Sequence, residues 1–323
     1  MHDSRTSSHP LTTRLAPSPT GALHLGNART FLVTWALARA QGWRIVLRIE
    51  DLDTPRVKPE TIQETIDTLA WLGMDWDSGP IIQSTDLSRA LAAMRSLAQR
   101  GLAYPSPHTR GDLEASSSLS APQEGVHEPI FPREWRPAPG PRDFDASPGE
   151  NWRLALPDDA CVTFQDLFCG MVTRDVARSV GDFVIWTKRG HPAYQLAVVV
   201  DDDAQGVTHV VRGDDLLDSA ARQLLLMRAL GIAREPVYAH LPLIRGEDGR
   251  RLAKRHGDTR IRAYRARGVR PERVIGLVAW WCGMTPARRE MDASEFRHAL
   301  NLGTIPKDAV TFTREDDAWL GGT

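Results

Sequence analysis

The stretch R-L-A-P-S-P-T-G-A-L-H-L-G-N, Arg14 to Asn27, decides how this chain begins to fold. Residues 12–16 (TTRLA) read as a short buried strand. Pro17, Pro19 and Gly21 break it, and Leu25, Ala28, Phe31, Leu32, Trp35 and Ala36 then recur at helical spacing. Gly42 closes that helix, and W-R-I-V-L-R-I-E-D at 43–51 alternates apolar and polar as a second strand. Pro55 and Pro59 introduce a further helix that runs through Leu72. A strand-helix-strand unit of this length implies a parallel, doubly wound α/β sheet. Ligands of such sheets sit at the carboxyl ends of the strands, which is where the 17–24 loop lies. Gly21 and Gly26 let a backbone approach phosphates closely. A helix starting near His24 aims its free N–H groups and positive dipole end at an anion, with His24 as a further donor. A short H-x-G match alone would be an ordinary proline-rich turn, and the length of the string argues against that.

Working outward, residues 105–150 are rich in Pro, Ser and Gly with little periodicity and read as an irregular, partly mobile insertion. Strand patterns return in FVIWTKRG, AYQLAVVVDD and VTHVVRGDD, followed by a helix from about Asp218 to Leu230, so the insertion interrupts one sheet. From Thr259 onward the pattern is helical, with segments in the 260s, from Pro271 to Met284 and near Ser294. The 323 residues, 41% hydrophobic, suffice for a sizeable core. The first ten residues lack the apolar stretch of a secretory signal and no run approaches a membrane span, so a cytoplasmic location is expected. Cys161, Cys169 and Cys282 have no C-x-x-C spacing and suit a reducing compartment. With 40 Lys plus Arg against 41 Asp plus Glu, a nucleic-acid contact would have to come from a local patch.

A second motif, G-R-R-L-A-K-R-H-G-D at Gly249 to Asp258, follows the strand-like YAHLPLIRG. Such a basic loop can close on β- and γ-phosphates and neutralise the charge that develops as pyrophosphate leaves, with Lys254 in that role. By itself it reads as a solvated basic turn, since charge runs are usually exposed faces. A third set is dispersed: Arg14, Glu50, Tyr194 and Arg212. A substrate with two carboxylates and one ammonium needs two cationic partners and one anionic one. Spacing alone does not select these four, and Arg212 with Asp214 fits a surface ion pair as well.

Together these strings resemble a class I aminoacyl-tRNA synthetase of the glutamyl branch. H-L-G-N at 24–27 is similar to its HIGH motif, and R-L-A-K-R at 251–255 to its KMSKS motif. R-I-E-D-L-D-T-P-R at 48–56 and A-Y-Q-L-A-V-V-V-D-D through T-H-V-V-R-G-D-D at 193–215 are similar too. The resemblance implies a Rossmann-like catalytic domain split into 1–104 and 181–258. Residues 105–180 would be an inserted acceptor-type subdomain with a degenerate zinc knuckle, and 259–323 a C-terminal helical subdomain. It implies glutamate on Arg14, Leu15, Ala16, Pro17 and Ser18, with Glu50 near the ammonium and Tyr194 and Arg212 completing the pocket. ATP would lie on Gly21, His24, Gly26, Asn27 and Lys254, with His24 and Lys254 catalytic and Mg2+ accompanying ATP. Within the branch, the length resembles shortened paralogues that place glutamate on queuosine in the anticodon of tRNA(Asp). Full glutamyl enzymes continue into helical anticodon-binding domains, for which the residues after Thr259 leave no room. A monomer is expected.

Two departures stand out. Ala253 takes the place of the usual serine in the basic loop. In the insertion, Ser106, His108, Phe131 and Trp135 occupy the four knuckle positions. A structural zinc needs about four N, S or O ligands, so the expectation is no zinc, with Phe131 and Trp135 packing in its stead. His127 and Glu128 are the substitutes that would rescue a site with His108. Two other readings stay open: a shortened glutamyl-tRNA synthetase charging a 3′ end, and a non-catalytic RNA-binding paralogue.

Overall fold

The computed structural model describes residues 10–52, 57–109, 111–113, 129–250, 252 and 259–321. Ala253, Lys254, His127 and Glu128 lie outside these. In chain order the elements are β1 (Thr12–Leu15), α1 (Leu25–Gln41), β2 (Arg44–Ile49), α2 (Pro59–Trp71), β3 (Ser78–Ile82), α3 (Ser88–Gln99), β4 (Ala103–Ser106), β5 (Asn151–Leu154), β6 (Cys161–Asp166), β7 (Gly170–Asp175), β8 (Val184–Trp186), α4 (Tyr194–Ala204), β9 (His209–Gly213), α5 (Leu217–Leu230), β10 (Val237–Leu241), β11 (Ile244–Arg245), α6 (Ile261–Ala266), α7 (Pro271–Trp281), α8 (Ala293–Ala299), β12 (Val310–Thr311) and α9 (Arg314–Gly321). They form two compact units. One comprises 1–83, 207–215 and 236–323, and the other 84–206 and 216–235.

In the first unit β1, β2 and β3 are parallel, with Arg14 opposite Val46. β9 runs beside β1, where the Thr208 amide donates to the Thr12 carbonyl at 2.8 Å, and pairs in parallel with β10. The sequence between β1 and β2 folds as its pattern predicts. His24 is the N-cap of α1 and Gly42, at φ 67°, is its left-handed C-cap. α1 buries Leu25, Ala28, Leu32, Val33, Trp35 and Ala36 against β1, β2, β9, α7 and α8. Burial all round α1 leaves it little amphipathic character, as expected of a helix inside a layered domain. Near the carboxyl end, Asp316 is fully buried and accepts from Arg288 at 2.7 Å and from the Thr313 amide at 2.9 Å, which ties α9 down.

In the second unit β4, β5 and β8 make an antiparallel sheet and β6 with β7 a hairpin. One segment departs from its sequence reading. A-Y-Q-L-A-V-V-V-D-D looks like a strand, yet Tyr194–Ala204 is the helix α4. Gln195 through Asp202 are all buried, and α4 packs against both α3 and α5. A helix buried on every face carries no 3.6-residue alternation, so its valine run imitates a buried strand.

The knuckle positions hold an aromatic cluster. His108 stacks on Trp135 at 4.1 Å, Phe131 meets Trp135 edge-on at 5.8 Å, and the Arg153 guanidinium covers Phe131 at 4.1 Å. Ser106 is buried and accepts from Arg153 Nε at 3.4 Å. The Phe131 backbone lies so close to Gly181 that a Cβ there would stand 2.6 Å from the Phe131 carbonyl oxygen, and φ is 70°. Only glycine fits that approach. Beside the cluster, Asp182 is 3% exposed and accepts from the Tyr104 hydroxyl, from Arg136 Nε at 2.7 Å and from the Leu156 amide at 2.9 Å. Burial and the bond to Asp182 push the Tyr104 phenol up, so it stays a donor.

Removing the Asp182 charge leaves Arg136 without its counter-ion, so Asp182→Asn should cost about 3 kcal/mol in urea unfolding. A loss under about 0.5 kcal/mol would mean the network contributes nothing net. Elemental analysis of the purified protein should find no stoichiometric zinc. One zinc per chain would place ligands in the insertion that the cluster does not supply.

Candidate active site

The site is built where β1 and β2 end. After Leu15 the chain turns at Pro17, whose carbonyl accepts the Glu50 amide at 3.0 Å. This single bond holds the 14–18 segment against the end of β2. Arg14 is 5% exposed and its Nη1 reaches the Val211 carbonyl of β9 at 3.5 Å. Leu15 and Pro17 are buried, Ala16 is half-buried and Ser18 exposed. Glu50 sits beside a second cation that the sequence reading missed. Arg48, with no exposure, reaches Glu50 Oε1 through Nη2 at 3.0 Å and Nε at 3.3 Å. Two such contacts fix the carboxylate in direction.

Arg212, on β9, lies in register with His240 of β10. Its Nε donates to His240 Nε2 at 3.0 Å, and its guanidinium lies 5.3 Å from the centre of the Tyr238 ring. A nitrogen that accepts from an arginine carries no proton, so the bond assigns His240 as neutral with its hydrogen on Nδ1. Arg212 is 5% exposed and His240 fully buried. Beyond Gly213, burial and then Asp215 push the Asp214 carboxyl above its ordinary range, opposed by Arg245 and Arg29.

The loop before α1 is fastened to the chain that follows the basic motif. The Leu25 amide donates to the Thr259 carbonyl at 3.1 Å, the Ile261 amide donates to Leu23 at 2.8 Å, and His24 forms an isolated antiparallel bridge with Arg260. Within the motif, the Leu252 amide donates to Ile244 at 3.1 Å. β11 itself pairs with β12. A Cβ on Gly26 would stand 3.2 Å from the His24 ring and 3.8 Å from Ile244 Cβ, so glycine there keeps the imidazole in place. The His24 amide is closed by Asn27 Oδ1 at 3.2 Å. At Gly21 a Cβ would meet no atom within 4 Å, so the chain's own packing does not demand glycine there.

Arg14, Leu15, Ala16, Pro17, Ser18, Gly21, His24, Gly26, Asn27, Glu50 and Arg212 thus all belong to the first unit. Tyr194 opens α4 in the second unit and is 39% exposed. Lys254 lies outside the described residues. Arg48 and His240 had a sequence signal: each is a polar residue inside an otherwise apolar strand, in R-I-V-L-R-I and Y-A-H-L. Chemically, the arrangement offers three buried guanidinium groups, of which Arg48 is paired with the one oriented carboxylate, and a helix N-terminus beside Thr259 and Arg260. It suits a small substrate with carboxylates and an ammonium beside a polyphosphate.

Among the described residues, no group of three or more His, Cys, Asp or Glu could hold a metal, and no helix is long and apolar enough to cross a membrane. Comparison with known proteins places residues 10–316 under the family model "tRNA synthetases class I (E and Q), catalytic domain". The chain is similar to a glutamyl-Q tRNA(Asp) synthetase of Symbiobacterium thermophilum, 42% identical across 96% of this chain and 98% of that one. It is 45% identical to one of Rhodopirellula baltica across 84% of this chain and 85% of that protein. Among solved structures, the glutamate-tRNA synthetase of Elizabethkingia anophelis superposes with a TM-score of 0.76 at 26% identity, over 97% of this chain and 70% of that one. Its α/β, Rossmann-like architecture is theirs, and the chain belongs to the catalytic-domain family of the class I glutamyl and glutaminyl tRNA synthetases.

Proposed function

We propose that this protein activates L-glutamate with ATP as glutamyl-adenylate and transfers the glutamyl group to queuosine in the anticodon of tRNA(Asp). The observation that carries the activation half is the backbone pairing of Leu23–Leu25 with Thr259–Ile261, which joins the helix N-terminus after His24 to the stem of the loop bearing Lys254. A nucleotide held by the first loop would lie beside Thr259, the described residue that follows the segment carrying Lys254.

In the reaction, a glutamate α-carboxylate oxygen attacks the α-phosphorus of ATP. A new carboxyl-to-phosphorus anhydride bond forms, the bond from the α-phosphorus to the oxygen bridging to the β-phosphate breaks, and pyrophosphate leaves. Arg14 and Arg212 supply the two cations that two carboxylates require, and Glu50 faces the ammonium. His24 and Lys254 offset charge on the phosphates. Mg2+ arrives with ATP as the counter-ion of its phosphates. No covalent enzyme intermediate is needed, and catalysis is positioning plus charge stabilisation. In the second step a hydroxyl of the queuosine cyclopentene diol attacks the mixed anhydride and AMP leaves with its proton balance met by solvent. The anhydride is already activated, so no strong base is called for.

Support for the acceptor comes from the two relatives at 42% and 45% identity whose names specify tRNA(Asp). Single-stranded anticodon loops also suit protein readout, because splayed bases expose their edges and faces. The diol then supplies both the nucleophile and the mark by which the RNA is chosen.

Wild-type protein should catalyse glutamate-dependent exchange of pyrophosphate into ATP, and its absence would leave a non-catalytic paralogue. His24→Ala and Lys254→Ala should each lower that exchange by roughly a hundredfold with thermal unfolding unchanged, since each removes one preorganised donor. Near-normal exchange in Lys254→Ala would remove that residue from the mechanism. With labelled glutamate and ATP, transfer is expected to queuosine-containing tRNA(Asp) and not to its unmodified counterpart. Efficient charging of tRNA(Glu) would overturn the acceptor and make the protein a 3′-end glutamyl-tRNA synthetase.

A further inference from the structure

Arg212, one of the two cations offered to the carboxylates of glutamate, is held from the neighbouring strand. His240 stands opposite it in the parallel register of β9 and β10, is fully buried, and accepts from Arg212 Nε through its own Nε2 at 3.0 Å. Tyr238, two residues earlier on β10, is buried and shares that face of the strand. Its ring stacks on His240 with centroids 5.7 Å apart and an interplanar angle of 20°, and the Arg212 guanidinium lies 5.3 Å from its centre. The guanidinium thus meets two stacked rings, one of which also accepts its hydrogen bond. The surroundings are braced on both strands. Leu241 pairs with Gly213, and the buried Arg29 of α1 donates through Nη1 to the Pro242 carbonyl, just past the end of β10. On β9, Arg14 reaches the carbonyl of Val211, the residue before Arg212.

Stability does not explain a buried arginine bonded to an imidazole in the interior of two strands. Both groups bear a desolvation cost that apolar side chains of similar volume avoid. What the pair supplies is direction. A guanidinium recognises a carboxylate through a planar fork, and the match depends on where that plane lies. The bond to His240 is made at Nε, so it fixes the plane from behind while the fork of Nη1 and Nη2 keeps one orientation. The accepting nitrogen carries no proton, so the ring is neutral. Its bond therefore orients the cation and cancels none of the charge, whereas a carboxylate in the same place would do both.

We infer that His240 is a positioning residue for the amino acid: as a neutral acceptor it fixes the plane of the Arg212 guanidinium at the carboxyl end of β9, so that a substrate carboxylate meets a fork already oriented. The inference rests on the reading of glutamate as the substrate given above. Its parts, His240, Tyr238, Arg212 and Arg14, all belong to the first unit.

The test uses the full chain with His240→Phe, which keeps a ring to stack on Tyr238 but no acceptor, and His240→Gln, which keeps a neutral acceptor near the place of Nε2. Two readouts are taken well below the unfolding temperature: pyrophosphate exchange with KM measured separately for glutamate and ATP, and nitrogen-15 NMR of protein labelled at histidine and arginine. His240→Phe should raise KM for glutamate by about tenfold to a hundredfold, the range of a hydrogen bond to a charged group, with KM for ATP within about threefold of wild type. His240→Gln should bring KM for glutamate back to within about fivefold of wild type, since the acceptor is what matters. In the wild type the His240 proton should sit on Nδ1, and the Arg212 Nε proton should exchange with solvent at least about tenfold more slowly than in His240→Phe. KM for glutamate within about twofold of wild type in His240→Phe, an equal rise in both KM values, no rescue by His240→Gln, or a proton on Nε2 of wild-type His240 would each overturn the inference. If His240→Phe does not fold, the wild-type ring nitrogens and the glutamate KM of His240→Gln decide. If the wild type shows no glutamate-dependent exchange, the functional reading fails, and the Arg212 Nε proton still decides whether His240 holds that guanidinium in place.

Discussion

The hydrogen bond from the Leu25 amide to the Thr259 carbonyl joins two parts of the chain that have no sequence proximity, and the arrangement of the site depends on it. It is made by backbone and does not depend on the side chain of either residue. The bond also uses the first amide of α1, one of the donors that a helix N-terminus leaves without an intrahelical partner. The following amides and the positive end of a 17-residue helix remain directed at the same place. An anion there meets a field already oriented before it arrives, which is the condition under which electrostatics lowers a barrier without reorganisation.

The amino-acid side of the site follows the same economy. One peptide bond, Glu50 N–H to Pro17 C=O, sets the loop after β1 against the end of β2. Arg48 then aligns the Glu50 carboxylate, and His240 with Tyr238 aligns Arg212. Glu50 and Arg212 are thus each oriented by a neighbour on the same strand or the adjacent one. Parallel strands make this possible, because residues at their carboxyl ends converge on one edge of the sheet.

Much of this was legible in the sequence, for reasons that also explain what was not. The strand, loop and helix from Thr12 to Gln41 carry their own punctuation in Pro17, Pro19, Gly21 and Gly42, and the structure follows it. α4 was misread because burial on every face erases the alternation that separates a helix from a strand. Arg48, His240 and Arg29 were overlooked for a related reason: a polar residue in an apolar run has meaning through its partner, and the partners lie on other elements. Arg29 needs Pro242, and Arg212 needs His240. The motif pattern marks the residues proposed to face a substrate, whereas the residues that hold those in place are marked by tertiary pairing.

The insertion shows how one structural problem admits different physical solutions. A knuckle of four ligands draws its stability from metal coordination, on the order of 10 kcal/mol in small peptides at neutral pH, and makes folding depend on metal supply and on deprotonated ligands. Here the same four positions carry Ser106, His108, Phe131 and Trp135, and their contacts are stacking, edge-on packing and a guanidinium face. Aromatic pairs contribute about 0.5 to 1.5 kcal/mol each beyond their burial, and a cation over a ring about 0.5 to 2. The same unit also gathers polar partners onto one buried charge. It does so through Asp182, which gathers Tyr104, Arg136 and the Leu156 amide onto one buried carboxylate next to the cluster, while Arg153 links the two by donating to the Asp182 carbonyl at 2.8 Å.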